Sequence, residues 1–167
     1  TSLMLRCNGS SLLIDCGEGT QIAMREKGWS PYSIDTICFT HYHADHISGL
    51  PGMLLSMGNA ERTKPVTMIG PKGLARVVNG LRSIAPELPF AIEYIEIQEE
   101  EQRFSCESFQ LEAFKVQHSI PGFGYKITIP RSGKFSVERA REAGIPVSCW
   151  NRLKNGEAVE NDGSLFT

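Results

Sequence analysis

Between Phe39 and Gly52 the chain reads FTHYHADHISGLPG, so three of its four histidines fall within six residues. His41, His43, Asp45 and His46 form an HxHxDH pattern at the end of a short apolar run, IDTICFTH, which reads as a buried strand. If strand geometry continues through the cluster, His41 and His43 project to the same side, because side chains repeat every two residues. Two imidazoles on one side can chelate one metal ion. A turn after Ala44 would then swing Asp45 and His46 toward a second ion. Imidazole nitrogens with one carboxylate suit zinc, with manganese or iron as alternatives.

The fourth histidine, His118, also closes a β-like run, FKVQH, where a ligand from a neighbouring strand would arrive. Asp15, in LLIDCGEGTQ, is a further polar residue at a strand end. Its expected role is to stand behind the metal ligands and orient the loop by hydrogen bonds. The same segment runs through Gly17 and Gly19 into a helix start, a candidate phosphate cradle with Gly19 and Thr20 as contacts.

The elements that must position these residues can be read around them. LMLRCNGSSLLIDCG predicts a hairpin turning at Asn8-Gly9-Ser10, and EGTQIAMREKG a short helix closed by Gly28. ISGLPGMLLSMG reads as helical with a glycine-proline interruption, VTMIG as a strand and PKGLARVVNGLRSIA as a helix. IEYIEI, FQLEAFKVQH and GYKITIP alternate as strands, and SVERAREAG is a helix between a Ser136 cap and a Gly144 stop. From Pro146 onward the chain is expected to be polar and irregular. Helices and strands alternate early and strands dominate later, so the fold class is α/β or mixed α+β.

At 167 residues the chain can bury one sizeable core. It has 41% apolar and 22% charged residues, with no apolar run of the roughly 18 residues a membrane span needs. It opens on Thr1 without a signal peptide, and residues upstream are expected. The five cysteines contain no CxxC pair and read as buried free thiols of a reducing cytoplasm. A net charge of −2 speaks against a generally basic nucleic-acid coat. The distribution is uneven, however. Residues 93–112 are acidic and read as a solvated surface, whereas residues 126–154 carry Lys126, Arg131, Lys134, Arg139, Arg141, Arg152 and Lys154 against Glu138 and Glu142. That basic stretch is a candidate phosphate-contacting patch.

Taken together, DCGEGTQ, FTHYHADHISGLPG and HSIPGFGYKI resemble the metallo-β-lactamase superfamily and, within it, the ribonuclease Z family of tRNA 3′-processing endonucleases. GKFSVERAREAGIP resembles the start of the protruding arm with which that family holds tRNA. The resemblance implies an αββα sandwich, present here in part, over residues 1–130, and an incomplete tRNA-binding arm over residues 131–167. It implies one zinc at His41, His43 and His118 and another at Asp45 and His46, with Asp45 as the proton acceptor. The implied reaction is attack of a metal-held hydroxide on a phosphodiester, releasing the 3′ trailer of precursor tRNA and leaving a 3′-hydroxyl. Lys134, Arg139 and Arg141 would then grip the tRNA backbone, in a cytoplasmic homodimer whose arms serve each other's sites.

The chain departs from that pattern in two places. The family carries a later bridging aspartate and later histidines, yet no histidine follows His118 and Asp162 is the only later aspartate. The chain is therefore expected to match the first half of the family, with an incomplete site. After GIP the family shows a glycine-proline-rich turn, where this chain has VSCWNRL. Two other readings stand beside the nuclease: a thioesterase or esterase of the same superfamily, and a tRNA- or partner-binding fragment without catalysis.

Overall fold

Asn8 and Gly9 both take positive φ, 49° and 85°, the backbone of a two-residue hairpin turn. They join β1 (Leu3–Cys7) to β2 (Ser10–Ile14) in antiparallel register, with Cys7 opposite Ser10. The structure is a computed structural model, and it describes the whole chain except Glu107, residues 131–134, Asp162, Thr167 and the side chain of Asn161.

Beyond the hairpin the chain lays down β3 (Ile34–Cys38), β4 (Val66–Gly70) and β5 (Ile92–Glu96) parallel to β2, giving the sheet order β1-β2-β3-β4-β5. Parallel strands need crossovers and are covered on both faces, and β2 is accordingly buried at all five positions. The crossovers carry α1 (Thr20–Glu26), α2 (Ala44–Ile47), α3 (Leu50–Asn59) and α4 (Leu74–Leu81). The proline in the predicted helical interruption sits in the first turn of α3, where its missing N–H is harmless. Met24, Leu50, Met53, Leu54, Met57, Leu74 and Val78 from these helices pack with Leu13, Ile37, Phe39 and Met68 into one core. Fully burying each such side chain contributes about 1.5–3 kcal/mol.

On the other face lies an antiparallel sheet of β6 (Glu101–Cys106), β7 (Phe109–Val116) and β8 (Gly122–Thr128), in that order. Phe109, Leu111 and Ala113 of β7 join Leu12, Ile14, Cys38 and Ile69 in a second core between the sheets. Helices, sheet and sheet make three layers of an αββα sandwich. β6 lies within the acidic run read as solvated surface. Gln102, Phe104 and Cys106 are half-buried and alternate with exposed Glu101, Arg103 and Ser105, and Arg103 Nε reaches Glu112 Oε2 across the ladder at 2.9 Å. Charged Glu101 and Arg103 are thus outer positions of β6, and they hid its strand period.

Residues Thr1–Ile129 form one compact unit and Pro130–Thr167 another. In the second, α5 (Val137–Glu142) is capped by Ser136, whose hydroxyl accepts from Arg139 N at 3.2 Å. The tail expected to be irregular is instead ordered as α6 (Val147–Lys154) and a hairpin of β9 (Val159–Asn161) and β10 (Ser164–Phe166). Trp150 supplies the missing reason: its ring packs on Phe135 and its indole N–H donates to Ile145 O at 2.9 Å. One aromatic side chain here does what a longer apolar pattern does elsewhere.

Candidate metal centre

β3 ends at Cys38, so residues 39–43 lie in a loop before α2, with His43 at the helix N-cap. His41 and His43 do face the same side, as expected, but outside the strand ladder, so other bonds hold the loop. Phe39 N donates to Ile69 O at 2.8 Å, Phe123 N to Thr40 O at 2.9 Å, and the Tyr125 hydroxyl to Phe39 O at 2.8 Å. The segment after β2 is laced to the turn after α2: Cys16 N donates to His46 O at 2.7 Å and Gly49 N to Cys16 O at 2.9 Å. A Cβ on Gly17 would run into the carbonyl of Asp45, and one on Gly49 into the carbonyl of Gly17. Both glycines permit a backbone-to-backbone approach that no other residue allows.

Asp15 sits under this loop in the left-handed region, φ 58°, and is 2% exposed. Its Oδ1 accepts from Thr40 N at 2.8 Å, and its Oδ2 accepts from Thr40 Oγ1 at 2.8 Å and from His46 Nδ1 at 2.7 Å. Because the Thr40 hydroxyl gives its hydrogen to Asp15, its oxygen is left to accept from His41 Nδ1, 2.9 Å away. This network assigns the protons. His41 keeps Nε2 bare, and His46 keeps Nε2 bare.

The first of these converges with two further imidazole nitrogens. His41 Nε2 lies 3.1 Å from His43 Nδ1, and His118 Nε2 lies 3.3 Å from the same atom. The three ligand atoms all fall within 4.8 Å of one another. Zinc–nitrogen bonds of 2.0–2.1 Å at tetrahedral angles put ligand nitrogens about 3.3–3.4 Å apart, so the spacing fits one ion. Burial first, then repulsion from the His46, His118 and His43 imidazoles, holds His41 below the ordinary histidine range and keeps it in the neutral form a metal needs. Next to this trio, His46 Nε2 stands 3.3 Å from Asp45 Oδ2 on an exposed carboxylate. Among the described residues this pair offers two donors to a second ion, whereas the histidine trio offers three.

The remaining expected residues sit elsewhere. Gly19 caps α1 with φ 78°, while Thr20 is buried and its hydroxyl donates to Gly17 O at 2.7 Å, closing the turn. Arg139 and Arg141 are exposed on α5, Arg141 lying 5.9 Å from the Trp150 ring centre. Lys134 and Asp162 lie outside the described residues. Sequence reading missed Thr40, which links Asp15 to His41, and Tyr125, which ties β8 to the loop. The only signal for Thr40 was its place directly before the first histidine. A cavity of about 610 Å³ lined by residues 115–123, His118 among them, and by Glu100 adjoins the trio.

Layers, strand order and histidine trio together define a metallo-β-lactamase-type fold with a metal-binding centre. A metallo-β-lactamase fold protein from Bacillus subtilis superposes with a TM-score of 0.60 at 19% identity, covering 77% of this chain and 49% of that one. Residues 1–138 match the family model described as Anti-Pycsar protein Apyc1, and the chain belongs to that family. It is also a homologue of ribonuclease Z. The ribonuclease Z of Lachnospira eligens is 59% identical over 167 residues, all of this chain and 55% of the relative. The short form of human tRNase Z superposes with a TM-score of 0.67 at 29% identity, covering 77% of this chain and 58% of that one. The chain spans about half the length of the curated relatives it matches. Among the described residues no helix is long and apolar enough to cross a membrane.

Proposed function

We propose that this chain carries the metal-binding part of a zinc-dependent endoribonuclease that removes the 3′ trailer from precursor tRNA in the cytoplasm. The observation that carries the reading is the convergence of His41 Nε2 and His118 Nε2 on His43 Nδ1, at 3.1 and 3.3 Å, with Asp45 and His46 alongside. Identity with curated ribonuclease Z proteins over the full chain supports the substrate class. His41, His43 and His118 would hold one ion; Asp45 and His46 would contribute to a second. When bound, the ions supply Lewis acidity, which offsets charge on the phosphoryl oxygens and makes water a nucleophile at neutral pH.

The chain's own residues do the rest. Asp15 and Thr40 keep His41 and His46 in the tautomers that present Nε2. Asp45, exposed and beside His46, accepts the proton of the attacking water. Arg139 and Arg141, with Lys134, grip the tRNA backbone without reading its sequence, as guanidinium and ammonium groups do on phosphates. The partner is precursor tRNA, and a second copy of the protein completes the arrangement as a homodimer.

One observation favours a second reading. Among the described residues the Asp45–His46 pair offers only two donors, so this chain alone would bind one ion firmly and hold tRNA without cleaving it. The test is a chimera in which this chain replaces the matching segment of the Lachnospira eligens ribonuclease Z. Trimming of a precursor tRNA to a 3′-hydroxyl, abolished by His43→Ala, is the expected result. Hydrolysis of small thioesters or esters with precursor tRNA left intact would point to the other hydrolases of the superfamily, and would overturn the proposal.

A further inference from the structure

The loop that carries the first two histidines is well held as far as Thr40. His41 is then held through Thr40 Oγ1, and His46 through Asp15. Among the described residues His43 has no comparable hold on its own ring. It is half-buried, and its Nδ1 faces the other two members of the trio. The residue before it is differently placed. Tyr42 packs its ring against Phe39, centres 6.3 Å apart, at the edge of the helix-side core, and its hydroxyl donates to Pro71 O.

That acceptor is itself fixed. Pro71 opens the turn between β4 and α4, and two residues on Gly73 N donates to Glu96 Oε1 at the end of β5, at 2.9 Å. Gly73 takes φ 91°, which the turn requires. Space around the hydroxyl is closed: a Cβ on Gly70 would stand 3.0 Å from the Tyr42 oxygen and 3.4 Å from Phe39 Cβ.

We infer that Tyr42 is the positioning residue for His43: its hydroxyl, anchored on Pro71 O, sets where the Nδ1 of the next residue stands against His41 Nε2 and His118 Nε2. The chain of contacts runs from β5 through Glu96 and the Gly73 turn to Tyr42 and so to a ligand. It ties the histidine trio to the far side of the parallel sheet, as Asp15 ties it to β2. The inference rests on the metal reading above.

Tyr42→Phe keeps the ring and its packing and removes one donor. The measurement is zinc affinity of the chain by competition with a chromophoric chelator, together with the absorption spectrum of the cobalt-loaded protein. Affinity should fall about tenfold, the lower end of the effect of removing a group that stands behind a ligand. The cobalt bands should weaken as the site leaves tetrahedral geometry. Gly70→Ala, which crowds the same hydroxyl, should weaken zinc binding as well, and the double variant should be no worse than Tyr42→Phe alone. A lower melting temperature of the metal-free variant with unchanged zinc affinity and cobalt spectrum would make Tyr42 a packing residue and overturn the inference. If Tyr42→Phe does not fold, undiminished zinc binding by Gly70→Ala overturns it equally. Failure of the unaltered chain to bind zinc would overturn the metal reading itself, a distinguishable outcome.

Discussion

Replacing Asp15 by Asn isolates what one buried charge does for this site. Asn tolerates the left-handed backbone that Asp15 adopts at φ 58°, so shape and conformation are kept. The carboxylate accepts three hydrogen bonds, from Thr40 N, Thr40 Oγ1 and His46 Nδ1, at 2.7–2.8 Å and almost out of water. An amide offers one acceptor oxygen and an NH2 group where donors already point. With the oxygen on the Oδ2 side, Thr40 N–H faces the NH2 unpaired. In the other orientation, His46 must move its proton onto Nε2, the nitrogen beside Asp45. Leaving one buried donor unsatisfied costs about 1–3 kcal/mol, and charge-assisted bonds are lost besides. For a chain of this size each kcal/mol lowers the melting temperature by about 2–4 °C. A drop of roughly 2–12 °C in the metal-free protein is expected, and a ~10–100-fold loss of zinc affinity, read by calorimetry and chelator competition. An Asn variant that melts with the unaltered protein and holds zinc as tightly would refute the role given to Asp15.

Two further outcomes are expected. His41 has a folded-state pKa below its ordinary 6.5, so the unfolded chain binds the extra proton first on acidification. Its contribution to stability is complete above that value and is lost as pH falls below it; chelator-treated protein should therefore melt progressively lower below pH ~6.5, and His41→Gln should flatten that slope. Burial pushes the Cys16 thiol up to about 12 and Cys38 well above its ordinary range, while Cys7, Cys106 and Cys149 are only half-buried. Iodoacetamide at pH 8 should accordingly spare Cys16 and Cys38 until denaturant is added, as peptide mapping would show.

Much of this was legible in the sequence because its signals were local. The Asn8-Gly9 turn and the Ser136 cap each act on residues a few positions away. The histidine cluster was legible for the same reason, and His118 because it closes a β-like run. What escaped reading depends on partners distant in the chain. His41 and His43 meet on one side as read, but in a loop held by Ile69, Phe123 and Tyr125 rather than in a strand. β6 was hidden because its outward positions Glu101, Arg103 and Ser105 are polar or charged, and α6 because it is ordered around one tryptophan rather than an apolar stripe. Gly17 read as part of a phosphate cradle and Gly49 as lying in an interrupted helix, whereas their smallness lets two backbone segments touch beneath the site.

The most direct test is the zinc content of this chain after gel filtration, measured by plasma mass spectrometry beside the His118→Ala variant. The geometry predicts at least about one tightly held ion per chain, from three convergent imidazole ligands, and its loss in the variant. Zinc far below one per chain, or the same content in both proteins, would contradict a metal centre at His41, His43 and His118.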